Sequence, residues 1–179
     1  MNLKHELRRK LIERRLEISP HRRNEAREEV MKKLLPLLEG FKRILSFASK
    51  EEEIDLWPLN ELLAKDKKLC LTKVEEERLS IFQVSDIELD LAETGRWQLK
   101  EPIPSRCSPI TPKEIDCALV PGLGFDKQHH RIGYGMGHFD RFLLQVSCPT
   151  YGVGFREQLL ESSIPAEEHD ISLTKVFYF

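Results

Sequence analysis

The chain has 179 residues, of which 40% are hydrophobic and 32% are charged, and its formal net charge is −2. This length suits one domain with a sizeable core, and the composition excludes a disordered chain. The small net charge excludes a global electrostatic preference for nucleic acid or for an anionic membrane surface.

The sequence gives no indication of a membrane helix, an apolar signal core or a metal-binding cysteine pair. No apolar run approaches the roughly 20 residues that a membrane helix needs, and the segment from Met1 to Lys10 is charged and lacks an apolar signal core. The cysteines form no C-x-x-C pair, which favours free thiols in a reducing compartment; they are Cys70, Cys107, Cys117 and Cys148. We therefore expect a cytoplasmic protein.

The first forty residues predict two helices. Leu3, Leu7 and Leu11 recur every four residues and form one apolar stripe. Ser19-Pro20 then supplies an N-cap and a proline at the first position of a second helix, and Gly40 is its predicted stop signal. We expect an N-terminal helical hairpin. The inward face of the second helix is predicted to consist of Ala26, Val30, Leu34 and Leu37.

Beyond Gly40 the apolar pattern changes to short runs that are typical of strands. Strands are predicted at 43–48, 68–74, 78–84, 116–120, 149–155 and 174–179, and helices at 55–65 and 138–145. This alternation indicates an α/β fold. We predict one three-layer domain over residues 1–179, with a mostly parallel central sheet and helices on both faces. The segment 88–113 holds four prolines and is predicted to be a long, functional connection.

A glycine-rich segment, Arg131 to Asp140 (RIGYGMGHFD), opens the helix predicted at 138–145. Its alternate glycines, Gly133, Gly135 and Gly137, leave backbone N–H groups unshielded, and such a loop before a helix favours bound phosphate. It is not a dinucleotide fingerprint, because His138 stands where that pattern needs glycine, and it lacks the Gly-Lys-Ser/Thr of a Walker A loop. A tight turn between strand and helix would explain the same glycines.

Charged residues at the two ends of this segment add to the phosphate hypothesis. Arg131 is suited to charge-assisted hydrogen bonds with phosphate oxygens. Asp140 offers carboxylate oxygens of the kind that Mg²⁺ prefers. The alternative for Asp140 is an acidic residue in the first turn of a helix, where the helix dipole favours it.

Three segments together resemble the signature of the 5-formyltetrahydrofolate cyclo-ligases, also called methenyltetrahydrofolate synthetases. They are Pro121–Asp126 (PGLGFD), Arg131–Gly135 (RIGYG), and Gly137 with Asp140-Arg141. The resemblance covers most of the chain. It implies a ligase that uses ATP and Mg²⁺ to close 5-formyltetrahydrofolate to 5,10-methenyltetrahydrofolate, through a phosphorylated formyl oxygen, with release of ADP and phosphate. It implies folate and ATP as partners, without nucleic acid or membrane, and we expect a monomer or a weak homodimer.

The resemblance also assigns residues to the site, without a general base. ATP would be bound by the N-terminal pair Lys4 and Arg8, which are four residues apart on one helix face, and by Arg131, Gly133, Gly135 and Gly137. The folate would be bound by Glu53, Tyr134, Gly135, Met136, Gly137 and His138. The metal ligands would be Asp140 and Asp170.

Several of these residues also have simpler interpretations. A carboxylate at Glu53 suits the N–H donors of a pterin ring, but Glu53 also belongs to an acidic run that begins at Glu51. Lys4 and Arg8 also fit a solvated basic helix face.

The sequence departs from the family pattern directly after the glycine loop. His138 and Phe139 stand where the family usually has two tyrosines.

Two other functions fit parts of the sequence. An α/β enzyme that acts on a phosphorylated metabolite would explain the glycine loop without ATP. A nucleic-acid-binding module would explain the eight Lys/Arg against three Glu between Met1 and Arg23, although that segment lacks interleaved aromatic residues.

Overall fold

A computed structural model describes residues 3–75, 78–94, 99–165 and 171–179. Its helices are α1 (Leu3–Leu16), α2 (Pro20–Leu38), α3 (Trp57–Lys65), α4 (Ile87–Asp90) and α5 (His138–Leu143). Its strands are β1 (Ile44–Leu45), β2 (Leu69–Glu75), β3 (Arg78–Gln83), β4 (Leu91–Thr94), β5 (Leu99–Pro102), β6 (Ser108–Ile110), β7 (Cys117–Val120), β8 (Gly124–Asp126), β9 (Arg131–Ile132), β10 (Thr150–Gly154), β11 (Leu159–Leu160) and β12 (Lys175–Tyr178).

The central sheet is mostly parallel. Its strand order is β12-β10-β7-β1-β2-β3-β6; β12 to β2 are mutually parallel, and β3 is antiparallel to both of its neighbours, β2 and the edge strand β6. A small sheet has the order β11-β8-β9, and β4 pairs with β5. Short apolar strands such as β7, buried at all four positions, are typical of parallel sheets covered on both faces.

Alternate side chains of the central strands pack against different layers. Ile44 of β1 joins the apolar cluster that contains the inward residues of α2 and α3. Leu45, its neighbour, joins a second cluster on the opposite face, which contains Phe142 and Leu143 of α5. This period of two places helices on both faces of the sheet and confirms the predicted α/β architecture. That residues 1–179 form a single domain stays a prediction.

The two N-terminal helices bury their apolar residues in different places. The Ser19 hydroxyl accepts a hydrogen bond from the Arg22 backbone N–H at 3.2 Å, so α2 begins at the predicted cap. Helix α2 lies on the central sheet, whereas Leu7 and Leu11 of α1 pack in a third cluster with residues of the small sheet. Helix α1 is therefore held against the β8–β9 region, which carries the glycine loop.

The predicted inward face of α2 is wrong at one position. Leu37 is 38% exposed, whereas Leu38 is 1% exposed and packs in the core. The buried residues Ala26, Val30, Leu34 and Leu38 follow a strict spacing of four, which keeps them on one stripe of the helix.

The segment 88–113 is more ordered than a connection. It contains the end of α4, the β4–β5 pair and β6, which closes the antiparallel edge of the central sheet. Pro109 lies in β6 opposite Phe82 of β3. An edge strand tolerates proline because a backbone N–H is not needed on its outer side. The prediction of a connection, which rested on the four prolines, therefore missed a short edge strand.

Residues at the carboxyl ends of β1 and β7 line a narrow crevice. From β1 the chain continues to β2 on one side, whereas β7 and β10 lie on the other, so the boundary between β1 and β7 is a topological switch point. Phe47, Glu53, Pro121, Gly122 and Gln158 are among the residues that line the crevice. Ligands of open α/β sheets bind at such positions, so this crevice is a candidate ligand-binding site.

Among the described residues, no helix has the length and apolarity to cross a membrane.

Asp126, the last residue of the PGLGFD segment, anchors the turn that follows β8. Its fully buried carboxylate accepts hydrogen bonds from the backbone N–H groups of Gln128 at 3.0 Å, His130 at 2.9 Å and Ile164 at 2.9 Å. Burial acts to raise the pKa of this carboxyl, but the hydrogen bonds from Ile164 and His130 outweigh it, and the pKa lies below its ordinary value. The carboxylate thereby fixes the β8–β9 turn beside the glycine loop.

Replacement of Asp126 by alanine is expected to lower the free energy of unfolding by about 3 kcal/mol at pH 7, because three backbone N–H groups, of which that of Ile164 is buried, lose their acceptor. Since the native pKa is depressed, the stabilisation is present above the unfolded pKa of about 3.9 and is lost as the pH falls through the native value. Urea unfolding at pH 7 and pH 3 tests this. The matched control is Asp66→Ala, at an exposed position; equal losses in the two variants would contradict the prediction.

Candidate active site

The glycine loop between β9 and α5 has a backbone that favours glycine. Gly135 has a φ of +100° and Gly137 a φ of +67°, in the region that side chains with a Cβ atom rarely adopt. Gly137 is also the N-cap of α5. Because α5 is only six residues long, its dipole supplies little of the positive charge that was expected for a phosphate site.

Three arginine side chains supply positive charge around the loop instead. A Cβ atom at Gly133 would lie 2.8 Å from Nη1 of Arg131, and one at Gly137 would lie 2.9 Å from Nη1 of Arg141. A Cβ atom at Gly135 would lie 3.2 Å from Cζ of Arg8. Each of the alternate glycines therefore makes room for one guanidinium group, and the loop is surrounded by cations.

Helix α1 is tied directly to this loop. Nε of Arg8 donates a hydrogen bond to the carbonyl oxygen of Gly133 at 2.9 Å, although the two residues are 125 positions apart in sequence. Lys4 lies one helical turn earlier on α1 and is partly buried. The structure thus brings Arg8, one of the two predicted N-terminal cations, to the predicted phosphate loop.

Arg131 and Asp140 form an ion pair at the base of the loop. Nη2 of Arg131 donates to Oδ1 of Asp140 at 2.7 Å, and the Arg131 side chain is 6% exposed, whereas that of Asp140 is 38% exposed. The Arg131 guanidinium also stacks on the Phe139 ring, with 5.4 Å between Cζ and the ring centroid. Phe139, which lacks the hydroxyl of tyrosine, therefore still helps to position a cation of the loop.

The predicted metal ligands are only partly described. Asp170 lies outside the described residues, as does its neighbour His169. Within the described part of the chain, no three His, Cys, Asp or Glu side chains gather in a way that would hold a metal ion. Asp140 is thus the predicted ligand whose position is known, and its partly exposed carboxylate faces the arginine-rich loop.

A second group of charged residues surrounds Glu53, next to the crevice. Oε2 of Glu53 accepts a hydrogen bond from the Lys50 backbone N–H at 3.1 Å, and Oε1 lies 3.6 Å from Nη1 of Arg15. The Glu53 side chain is 10% exposed and that of Arg15 is 1% exposed. Burial raises the pKa of the Glu53 carboxyl above its ordinary value, and the Lys50 hydrogen bond and the Arg15 charge oppose this only in part.

Tyr134 joins the glycine loop to this second group. Nη2 of Arg15 lies 2.5 Å from the Tyr134 hydroxyl, and the hydroxyl lies 3.3 Å from Oε1 of Glu52. Nζ of Lys50 lies 4.3 Å from the centroid of the Tyr134 ring. Although 46% of Tyr134 is exposed, its hydroxyl lies against the buried guanidinium, and burial followed by the Glu53 charge raises its pKa to about 12.

The predicted folate-binding residues therefore divide into two places. Glu53 and Tyr134 both contact Arg15, beside the crevice. Met136 is 69% exposed, and its carbonyl oxygen accepts a hydrogen bond from Nη2 of Arg141 at 3.2 Å. Nδ1 of His138 lies 3.3 Å from the same nitrogen. Met136 and His138 are thus grouped with the cations of the loop.

Three residues of the candidate site were not predicted from the sequence: Arg15, Glu52 and Arg141. Arg15 and Glu52 belong to charged runs that gave no separate signal. Arg141 lies within the quoted signature and follows Gly137 by four residues, the spacing that places its guanidinium against that glycine. That spacing alone was a usable signal for Arg141.

Comparisons with known proteins agree on one family. The model of the 5-formyltetrahydrofolate cyclo-ligase family matches residues 1–179. The 5-formyltetrahydrofolate cyclo-ligase of Mus musculus is 28% identical over 149 residues, which are 76% of this chain and 73% of that protein.

Solved structures give the same result. The structure of Aquifex aeolicus 5,10-methenyltetrahydrofolate synthetase superposes with a TM-score of 0.85 at 31% identity, over 97% of this chain and 88% of that one. The 5,10-methenyltetrahydrofolate synthetase of Mycoplasma pneumoniae has a TM-score of 0.77 at 21% identity, with 98% of each chain covered, and this likeness shows the fold.

Proposed function

The chain belongs to the 5-formyltetrahydrofolate cyclo-ligase family, and we propose that its arginine-rich glycine loop binds ATP while the adjacent crevice binds 5-formyltetrahydrofolate. Membership confirms the family predicted from the sequence and the ATP-dependent, carbon–nitrogen bond-forming ligase that it implies. The observation that carries the ATP subsite is the packing of one guanidinium against each of Gly133, Gly135 and Gly137.

The chemistry explains why the two subsites must be neighbours. A formamide carbonyl is a poor electrophile, so the formyl oxygen first attacks the γ-phosphorus of ATP, and the bond to ADP breaks. The nitrogen at position 10 then attacks the formyl carbon, the carbon–oxygen bond breaks, and phosphate leaves with that oxygen while N10 loses its proton. Both steps depend on positioning and on stabilisation of phosphoryl charge.

The described residues can supply both of these contributions. Arg8, Arg131 and Arg141 surround the loop and would stabilise the charge of the β- and γ-phosphates. Tyr134 extends from this loop to the Arg15–Glu53 pair, so its contacts join the proposed phosphate subsite to the proposed folate subsite. No described group is assigned as a general base.

Asp140 fits the coordination that Mg²⁺ prefers when it accompanies a nucleotide. Mg²⁺ keeps several waters and takes one or two carboxylates together with phosphate oxygens. Asp140 would supply one carboxylate beside the arginine-rich loop, and Asp170 would supply the second. When bound, Mg²⁺ would neutralise phosphate charge during transfer.

Replacement of Glu53 by glutamine is expected to weaken 5-formyltetrahydrofolate binding roughly 10- to 100-fold at pH 8, because a charged acceptor for the pterin N–H groups is lost. Burial raises the pKa of Glu53, so this carboxyl keeps its proton to a higher pH than an ordinary glutamate does. Affinity of the unmodified protein should therefore rise with pH as Glu53 ionises, and Glu53→Gln should flatten this dependence. Fluorescence titrations with folate between pH 5 and pH 8 test both effects. An unchanged pH profile in the variant would remove Glu53 from the folate site.

We further propose that the protein acts in the cytoplasm on folate and ATP, as a monomer or a weak homodimer, without nucleic acid or membrane partners. Several cations of the N-terminal segment are engaged within the protein. Arg8 contacts the glycine loop, Arg15 is buried, and Arg22 pairs with Glu157 at 2.9 Å. These contacts count against a nucleic-acid-binding arm.

A spectrophotometric assay tests the proposed reaction. Purified protein with 5-formyltetrahydrofolate, ATP and Mg²⁺ should produce the near-ultraviolet absorbance of the methenyl product, and the rise should require ATP. ATP-independent turnover of a phosphorylated metabolite would favour the other α/β enzymes considered from the sequence. No rise with folded protein, beside an active family member as positive control, would contradict the proposed reaction.

A further inference from the structure

Arg15 is a buried cation whose hydrogen bonds are incomplete. The residue is 2% exposed, and its Nη2 contacts Oε1 of Glu52 at 3.2 Å and the Tyr134 hydroxyl at 2.5 Å. Its Nε and Nη1 find no hydrogen-bond partner within the described part of the chain. Because buried polar groups without hydrogen bonds are costly and rare, these two N–H positions indicate a ligand.

Neighbouring residues position both the backbone and the side chain of Arg15. The Arg15 carbonyl oxygen accepts a hydrogen bond from Nη2 of Arg23 at 2.6 Å, which fixes the end of α1 to α2. Nη1 lies 3.6 Å from Oε1 of Glu53, close enough for attraction but too far for a hydrogen bond. Arg15 and Glu53 both line the crevice at the carboxyl ends of β1 and β7.

Arg15 and Glu53 therefore present a donor group and an acceptor group side by side. A pterin ring has the complementary order along one edge: the 4-oxo oxygen accepts, and the neighbouring N3–H and 2-amino groups donate. We infer that Arg15 donates hydrogen bonds to the 4-oxo oxygen of the bound folate while Glu53 accepts from N3–H and the 2-amino group. This inference rests on the proposed function and makes Arg15 a substrate-binding residue that selects 4-oxo pterins.

The ring enters only after a local movement. In the present conformation the crevice is too narrow for a water molecule. Tyr134, in the glycine loop, contacts Arg15 at the edge of the crevice. Outward movement of the segment with Tyr134 makes room for the ring and leaves the Arg15 guanidinium in contact with Glu52 at 3.2 Å.

The test compares two ligands that differ at position 4. 5-Formyltetrahydrofolate carries an oxygen acceptor there, and its 4-amino-4-deoxy analogue carries a donor. We expect Arg15→Gln to weaken binding of the 4-oxo compound roughly 10- to 100-fold, because charged hydrogen bonds are lost, and to change the affinity for the 4-amino analogue much less. Dissociation constants from fluorescence titration give the ratio. Equal loss for both ligands, the result of a structural role alone, overturns the inference.

Controls separate misfolding and failure of the proposed function from failure of this inference. Arg9→Gln, at an exposed position one turn before Glu13 on the same helix, should leave both affinities unchanged. If Arg15→Gln does not fold, Arg15→Lys keeps the charge but loses the planar fork, and the same fall in the 4-oxo to 4-amino ratio is expected. Wild-type protein that turns over folate while the ratio is unaffected by Arg15 overturns the inference alone. Wild-type protein that neither binds nor converts folate overturns the proposed function and the inference with it.

Discussion

Replacement of Arg8 by glutamine is expected to lower kcat/KM for ATP by about 10²-fold, the effect of removing one well-placed donor to a charged transition state. Nε of Arg8 donates to the Gly133 carbonyl, and its guanidinium lies against Gly135. The substitution therefore removes a positive charge from the proposed phosphate site and a contact that positions the loop. Steady-state kinetics at saturating 5-formyltetrahydrofolate measure the effect.

The same helix offers a matched control for Arg8. The Arg9 side chain is 62% exposed and pairs with Glu13 at 2.9 Å, so Arg9→Gln removes an equal charge away from the loop. Its ATP kinetics should match those of the unmodified protein, since exposed ion pairs contribute little. Matching kinetics for the Arg8 and Arg9 variants would show that the phosphates bind elsewhere.

Replacement of Asp140 by alanine is expected to lower kcat by about 10²-fold or more if this carboxylate holds the catalytic Mg²⁺. Two causes act together, because Asp140 is also the partner of Arg131 at 2.7 Å. Its removal takes away a proposed metal ligand and an anchor for a cation of the glycine loop. Turnover at a series of Mg²⁺ concentrations measures the effect.

Asp140→Asn separates these two roles. Asparagine keeps an oxygen that accepts a hydrogen bond from Arg131, but it lacks the charge that favours a divalent cation. A metal-ligand role predicts a loss similar to that of Asp140→Ala, together with a higher Mg²⁺ requirement. Near-normal turnover of either variant with a normal Mg²⁺ dependence would rule out the metal role, and rescue by asparagine alone would leave only the positioning of Arg131.

Much of the fold follows from patterns between residues that are close in sequence. The cap at Ser19, the strand from Cys117 to Val120 and the glycine loop were recognisable because hydrogen bonding and side-chain direction repeat over a few residues. The same local reasoning failed in the 88–113 segment, because edge strands such as β6 depend on a neighbour, here β3, for their hydrogen bonds.

The chemistry of the site was also partly readable from the sequence. Gly133, Gly135 and Gly137 indicated a phosphate loop because glycine allows close approach and positive φ, and the structure surrounds that loop with arginines. For Glu53 the sequence offered two interpretations, a folate ligand or a member of an acidic run. The structure shows that burial sets Glu53 apart from Glu52, since their side chains are 10% and 30% exposed.

The sequence by itself thus determined the family, the α/β order of the four longer helices and of the central strands other than β6, and the loop suited to phosphate, since these depend on short spacings within one segment. Only the tertiary structure decided which charges meet. Arg8 reaches Gly133, 125 residues away, and Arg15 joins Tyr134 to Glu52 and Glu53. Such contacts depend on how α1 packs against the small sheet. Because the fold buries Arg15 to 2% exposure, its guanidinium contacts residues that are distant in sequence instead of water.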